Sequence, residues 1–135
     1  MLLTIPSTMV AAEESVDVGQ LRYTVDTDAN TAEVYGPISS DEKIHDLVIP
    51  DFIDYNGSQV PVTSIRMDAF HGRHEFTGSL TIGNHVTTIG TRAFRECSGF
   101  TGSLTIGDSV TTIGSEAFAG CSGLTGSLTI GDAVI

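Results

Sequence analysis

Leu80–Ser103 reads LTIGNHVTTIGTRAFRECSGFTGS and Leu104–Ser127 reads LTIGDSVTTIGSEAFAGCSGLTGS. Both segments are 24 residues long, and 17 of the 24 positions are identical. Leu128 opens a third copy, LTIGDAVI, that runs to Ile135. Upstream, Leu47–Ser79 has 33 residues; setting aside nine of them, Asp54–Val62 (DYNGSQVPV), restores 24, of which 10 match the next copy. Recurrence at such a period marks a stacked array, in which no unit buries its apolar side alone.

Each unit has legible parts. Leu80-Thr81-Ile82 alternates apolar and polar residues, which predicts a short strand. Gly83 and Asn84 turn the chain, and Val86 to Ile89 predicts a second extended stretch. Thr91 to Cys97 is too short for a free-standing helix and predicts about one helical turn. Stacking then aligns Leu80, Leu104 and Leu128 in one buried column, Ile82, Ile106 and Ile130 in another, and Phe70, Phe94 and Phe118 in a third. Rungs paired as strands lie ~4.8 Å apart. The fold class expected is a right-handed repeat solenoid, mainly β with short helical turns. In the nine-residue insert, Asn56-Gly57 is a tight-turn signal, so a small hairpin or loop is expected there.

Composition narrows the function classes. The 135 residues carry a net charge of −11, with 40% hydrophobic and 17% charged residues and 15 glycines. No apolar run approaches the ~18 residues of a membrane-spanning helix. A polyanion is ill suited to nucleic-acid phosphates. Two cysteines are too few for a disulfide scaffold. No Gly-rich phosphate loop, no nucleophile with a nearby base and no recurring carboxylate pair points to an enzyme or a cofactor.

The motif L-T-I-x-D-x-V-T-x-I-x-x-x-A-F-x-x-C-S-x-L at Leu104–Leu124 closely resembles the leucine-rich repeats of the BspA-like group of bacterial surface antigens. The likeness covers Leu47–Ile135. The segment before it resembles that group's β-rich N-terminal cap: Leu21–Val25 alternates, Asp26–Asn30 turns, and Thr31–Tyr35 returns. Two departures stand out. The Thr-Gly-Ser linker carries an extra Gly, and Arg73 stands where later repeats have Cys97 and Cys121. The resemblance implies extracellular or cell-surface display and protein binding, often adhesion to host or neighbouring cells. The expected organisation is residues 1–12 as a signal remnant or disordered start, 13–46 as cap, and 47–135 as repeats (47–79 with the insert 54–62, then 80–103, 104–127 and a partial 128–135).

The ends carry further expectations. Met1–Ala12 fits the end of a secretion signal cleaved before Glu13, and equally an ordinary N-terminal segment, since it lacks a basic start. Residues 13–46 hold nine acidic residues against Arg22 and Lys43, a solvated face or a docking surface for a basic partner. The sequence stops in mid-repeat without a polar cap. A longer array is expected on that ground, with end-to-end self-association through the last rung or a frayed last rung as the alternatives.

Among candidate sites, Ser79, Thr81, Ser103, Thr105, Ser127 and Thr129 form a hydroxyl-rich ladder on the principal strands, suited to a protein or glycan ligand and also to plain β-propensity. The seven positions that differ between the two good repeats begin at Asn84, His85, Thr91, Arg92, Arg95, Glu96 and Phe100. Except for Phe100 they fall on turn and helical segments. That makes Arg92, Arg95, Glu96 and Glu116 a second candidate surface, and uniform strands fit a structural spacer. Cys97 and Cys121 lie 24 apart, near enough for a disulfide in principle. Consecutive rungs rarely give the right Cβ geometry, so a column of free buried thiols is expected. His71-Gly72-Arg73-His74-Glu75 lacks the spacing of a zinc helix and reads as surface variation. Asp26-Thr27-Asp28-Ala29-Asn30 resembles the opening of a calcium loop, but Thr31 and Pro37 occupy its Gly and Glu positions, so a hairpin turn is expected. No metal site is expected. Asn56-Gly57-Ser58 is also a glycosylation sequon.

Overall fold

The computed structural model describes residues 13–134; the candidate leader Met1–Ala12 lies outside the described residues. Among the described residues eleven strands form: β1 (Glu13–Val18), β2 (Leu21–Asp26), β3 (Thr31–Pro37), β4 (His45–Ile49), β5 (Phe52–Tyr55), β6 (Ser58–Ile65), β7 (Thr77–Ile82), β8 (Thr88–Ile89), β9 (Phe100–Ile106), β10 (Thr112–Ile113) and β11 (Leu128–Ile130). They build two sheets with different jobs.

The principal sheet is parallel, in the order β11-β9-β7-β4. Leu47, Leu80, Leu104 and Leu128 are in register across it, as are Ile49, Ile82, Ile106 and Ile130. The Leu column is buried at Leu47 and Leu80 but 62% exposed at Leu128. Leu128 and Ile130 therefore leave the buried ladder expected for them, because the last described rung has a neighbour on one side only. The second sheet runs β1-β2-β3-β6-β8-β10, and β5 pairs with β6. Its first three strands are antiparallel, and β3 then joins β6 in parallel, Ala32 against Val62 and Val34 against Ile65. Leu21, Tyr23, Val25, Ala32 and Val34 cover the open end of the first rung. Burial pushes the Tyr23 hydroxyl up to about 12.

The insert forms the β5–β6 hairpin. Asn56 (φ 50°) and Gly57 (φ 81°) both take left-handed backbone, the requirement of a type I′ turn. By hydrogen-bond register the excursion runs over 53–61, one residue earlier than identity alone places it. Thr87 N–H donates to Thr63 O at 2.8 Å, which carries Val62 onto Val86 and leaves Ile53 as an added core residue. The Tyr55 hydroxyl donates to a Glu14 carboxylate oxygen and ties the hairpin to β1.

The predicted helical turns are not helical. In Thr91–Cys97, alternate N–H groups bond within the rung: Ala93 to Gly90 O, Arg95 to Arg92 O, Cys97 to Phe94 O. The intervening ones bond the next rung: Arg92 to Ser115 O, Phe94 to Ala117 O, Glu96 to Ala119 O. A helix would need all of them within the rung. The alternation requires left-handed residues at two repeat positions: Asp68, Arg92 and Glu116 at φ 59°, 54° and 57°, and Gly72, Glu96 and Gly120 at φ 77°, 60° and 77°. The fold is thus a leucine-rich-repeat solenoid whose third side is a train of β-turns.

The Phe column forms as expected. Phe94 stacks on Phe70 at 5.1 Å and 7° and on Phe118 at 5.4 Å and 4°. Glycine is required where rungs touch backbone to backbone: a Cβ at Gly114 would lie 2.5 Å from Thr91 N.

Candidate binding faces

The two expected surfaces are both built, but their side chains are used differently. Register shifts interrupt β4 between His45 and Leu47 and β7 between Gly78 and Leu80. Each irregularity turns a backbone N–H away from the ladder, and a side chain of the preceding rung accepts it. Asp46 Oδ1 accepts Ser79 N–H at 2.8 Å, Ser79 Oγ accepts Ser103 N–H at 3.1 Å, and Ser103 Oγ accepts Ser127 N–H at 3.2 Å. The serine half of the predicted face therefore staples rung to rung. A column of Asp and Asn repeats the device at the next corner: Asp51 Oδ1 accepts Asn84 N–H at 2.7 Å and Asn84 Oδ1 accepts Asp108 N–H at 3.4 Å.

The threonine half is different. Val48, Thr81, Thr105 and Thr129 form one row in register across the principal sheet. No described residue partners the hydroxyl of Thr81, Thr105 or Thr129. A shallow hollow of about 280 Å³ lies along the row, between Val48, Thr81 and Thr105 on one side and Asp51 and Asn84 on the other. On the second sheet, Thr87 Oγ donates to Thr63 O at 3.1 Å and Thr111 Oγ to Thr87 O at 3.3 Å. Those hydroxyls are structural.

On the turn side the variable charged residues pair across rungs. Arg92 makes a two-pronged bond to Asp68, Nε to Oδ1 at 2.8 Å and Nη2 to Oδ2 at 3.0 Å. Asp68, Arg92 and Glu116 occupy one repeat position, so sign alternates along the column. The bond from Arg92 holds the Asp68 carboxyl below its ordinary range, and Asp68 raises Arg92. Arg95 reaches Glu116 at 3.2 Å and Glu96 at 3.8 Å. His71 lies 3.5 Å from Asp68 and 3.6 Å from Glu96. Arg92, Arg95, Glu96 and Glu116 are thus brought together, but each already has an internal partner. Comparing the repeats found these positions by their variation; it missed the pairing of Arg92 with Asp68, one repeat back, and of Arg95 with Glu116 on the next rung.

The remaining candidates resolve simply. Asp26 Oδ1 accepts the N–H groups of Asp28 and Ala29, at 3.0 Å each, which closes a hairpin turn. Arg73 Nη1 donates to Ser40 O at 2.8 Å and meets Glu75 at 3.4 Å, so it ties the cap loop to the first turn in the place where later rungs carry Cys. It lines an open hollow of about 670 Å³ together with Lys43 and His71. Cys97 and Cys121 are free thiols, donating to Phe70 O at 3.0 Å and Phe94 O at 2.9 Å. The adjacent Cys121 thiol and burial push the Cys97 thiol far above its ordinary range. Among the described residues, no group of three or more His, Cys, Asp or Glu is placed to hold a metal ion.

Comparison with known proteins defines the class. The model of the BspA type leucine-rich repeat region matches residues 58–134 in six copies. The chain belongs to this family. A leucine-rich repeat protein from Bacteroides ovatus aligns with 88% of the chain at 28% identity and a TM-score of 0.75. A leucine-rich repeat protein from Bacteroides capillosus aligns with 89% of the chain and 84% of its own length, at 29% identity and a TM-score of 0.74. A leucine-rich cell surface protein from Faecalibacterium prausnitzii shares the fold, at 24% identity over 90% of the chain and a TM-score of 0.67. The chain spans 38% of the Faecalibacterium protein and 30% of the Bacteroides ovatus protein. No curated protein matches the chain.

Proposed function

We propose that the chain is a non-enzymatic, surface-displayed binding module that engages a protein or glycan through the threonine row of its principal sheet. The observation that carries this reading is the row itself. Thr81, Thr105 and Thr129 stand in register on three adjacent parallel strands with hydroxyls that no described residue uses. Hydroxyls both donate and accept, so such a row suits an extended polar ligand, and repeat folds offer long regular faces of this kind. Surface display and adhesion rest on the family and on the cell-surface designation of the Faecalibacterium protein. The serines of the same face and the charged residues of the turn side serve rung-to-rung cohesion in this reading. That cohesion also favours a second reading, in which the array is a spacer presenting another domain.

The test is a glycan array and a display library of soluble proteins, screened against the immobilised chain. Any binder is then measured against the double variant Thr81→Arg/Thr105→Arg. Loss of binding with an unchanged melting temperature supports the face; unchanged binding overturns it. A chain that captures nothing favours the spacer.

A further inference from the structure

The cap protects the two sheets unequally. β3 extends the second sheet by pairing with β6, whereas the principal sheet ends at β4. Among the described residues no strand pairs with the outer edge of β4. A bare edge strand offers a row of unpaired N–H and C=O groups, a ready template for another strand.

A groove of about 340 Å³ runs beside this edge, between β4–β5 and the tip of the β1–β2 hairpin. Val18, Leu21, Val48, Pro50 and Phe52 supply its apolar surface. Val48 is 55% and Phe52 43% exposed, two of the few large apolar side chains the chain leaves in solvent. The groove's carboxylates are Asp46 and Asp54, and no Lys or Arg lines it. His45 is its only basic group, and it already sits 3.4 Å from Asp46.

We infer that the β4 edge and this groove bind an extended peptide in which apolar residues alternate with Lys or Arg. The peptide's backbone adds as a strand to β4. Its apolar side chains meet Val48 and Phe52, and its cations meet Asp46 and Asp54. Charge decides against a second copy as the occupant. Among the described residues the other outer edges include β1, which carries Glu13, Glu14 and Asp17, and β11, Leu128–Ile130, which offers no cation to Asp46 and Asp54, in a chain of net charge −11. Docking β1 on Asp46 and Asp54 would set like charges together. The groove adjoins the threonine row at Val48 and Pro50, but the inference concerns the outer edge of β4 and does not rest on ligand binding by Thr81, Thr105 or Thr129.

The probe is a blocked seven-residue peptide of alternating Val and Lys, titrated into the isotope-labelled full chain and followed by amide shifts and amide exchange. Expected are shifts and slowed exchange confined to His45–Ile49 and the β1–β2 tip. Affinity should fall with added salt, and binding should be about tenfold weaker for the Val/Glu peptide. Phe52→Ser and Val48→Glu, both at exposed positions, should weaken binding about tenfold while leaving the dispersion of the spectrum intact. Four results would overturn the inference. They are protection of the β4 amides that face away from β7 before any peptide is added, equal binding of the Lys and Glu peptides, shifts centred on Thr105 and Thr129 instead, and no shifts up to about 1 mM peptide, where even weak strand addition registers.

Discussion

Truncating Phe94 tests whether the rungs share one core. Its ring is fully buried and lies between two parallel rings, Phe70 at 5.1 Å and Phe118 at 5.4 Å. Phe→Ala in a packed core costs about 3–5 kcal/mol. Two stacked partners, each worth about 0.5–1.5 kcal/mol beyond area, place Phe94→Ala near the top of that range. Phe118 occupies the same repeat position but is only partly buried, and among the described residues Phe94 is its one ring partner. Phe118→Ala should therefore cost about half as much, roughly 2 kcal/mol. Phe94→Leu keeps most of the volume and loses the stacking, so about 1–2 kcal/mol is expected. Urea unfolding followed by circular dichroism on the full chain gives all three values. A loss at Phe118 equal to that at Phe94 would refute the argument that burial passes from rung to rung. So would a Phe94→Ala loss under about 1.5 kcal/mol.

Three further outcomes follow from the same geometry. Ser79→Ala removes the acceptor for Ser103 N–H; a loss of about 1 kcal/mol is expected, with faster hydrogen exchange at the Ser103 amide and little change at Ser127. Gly114→Ala sets a Cβ against Thr91 N, so the rung must shift and the melting temperature must fall; a wild-type value would show that the backbone contact is loose. Arg22 and Arg92 hold Asp17 and Asp68 below the ordinary carboxylate range. A depressed carboxyl contributes stability that is present above its unfolded pKa and is lost as pH falls through its folded one. The melting temperature should therefore drop as pH is lowered from the ordinary carboxylate range, modestly because solvent reaches both pairs, and Arg92→Gln should flatten part of that slope.

Particular residues show how far the sequence could be read. The columns of Leu, Ile and Phe were legible because equivalent residues at a fixed period must share one environment once the units stack. The Asn56-Gly57 hairpin was legible because left-handed backbone at two consecutive positions selects those residue types. The turn segment was not. Thr91–Cys97 has the length and composition of a helical turn, yet half of its N–H groups bond carbonyls one repeat further on. No local pattern records that competition. Arg92, Glu96 and Glu116 hold left-handed backbone with side chains that give no hint of it, because inter-rung hydrogen bonds hold them there. The serines of the principal face read as ligand-facing because their real partners are backbone amides 24 residues away.

By itself the sequence determined the repeat period and the stacked apolar columns, since these follow from periodicity and from the need to bury apolar side chains that no unit can bury alone; the leucine-rich-repeat class came from the resemblance of the Leu104–Leu124 motif to a known family. Only the tertiary structure decided which polar groups the stack uses and which it leaves free. It pairs Asp68 with Arg92, turns Ser79 and Ser103 into acceptors and joins β3 to one sheet; among the described residues it leaves Thr81 and Thr105 unengaged and the outer edge of β4 unpaired. The physical reason is that hydrogen bonds and ion pairs are satisfied between neighbouring rungs, and the register that brings those partners together exists only after the chain has coiled.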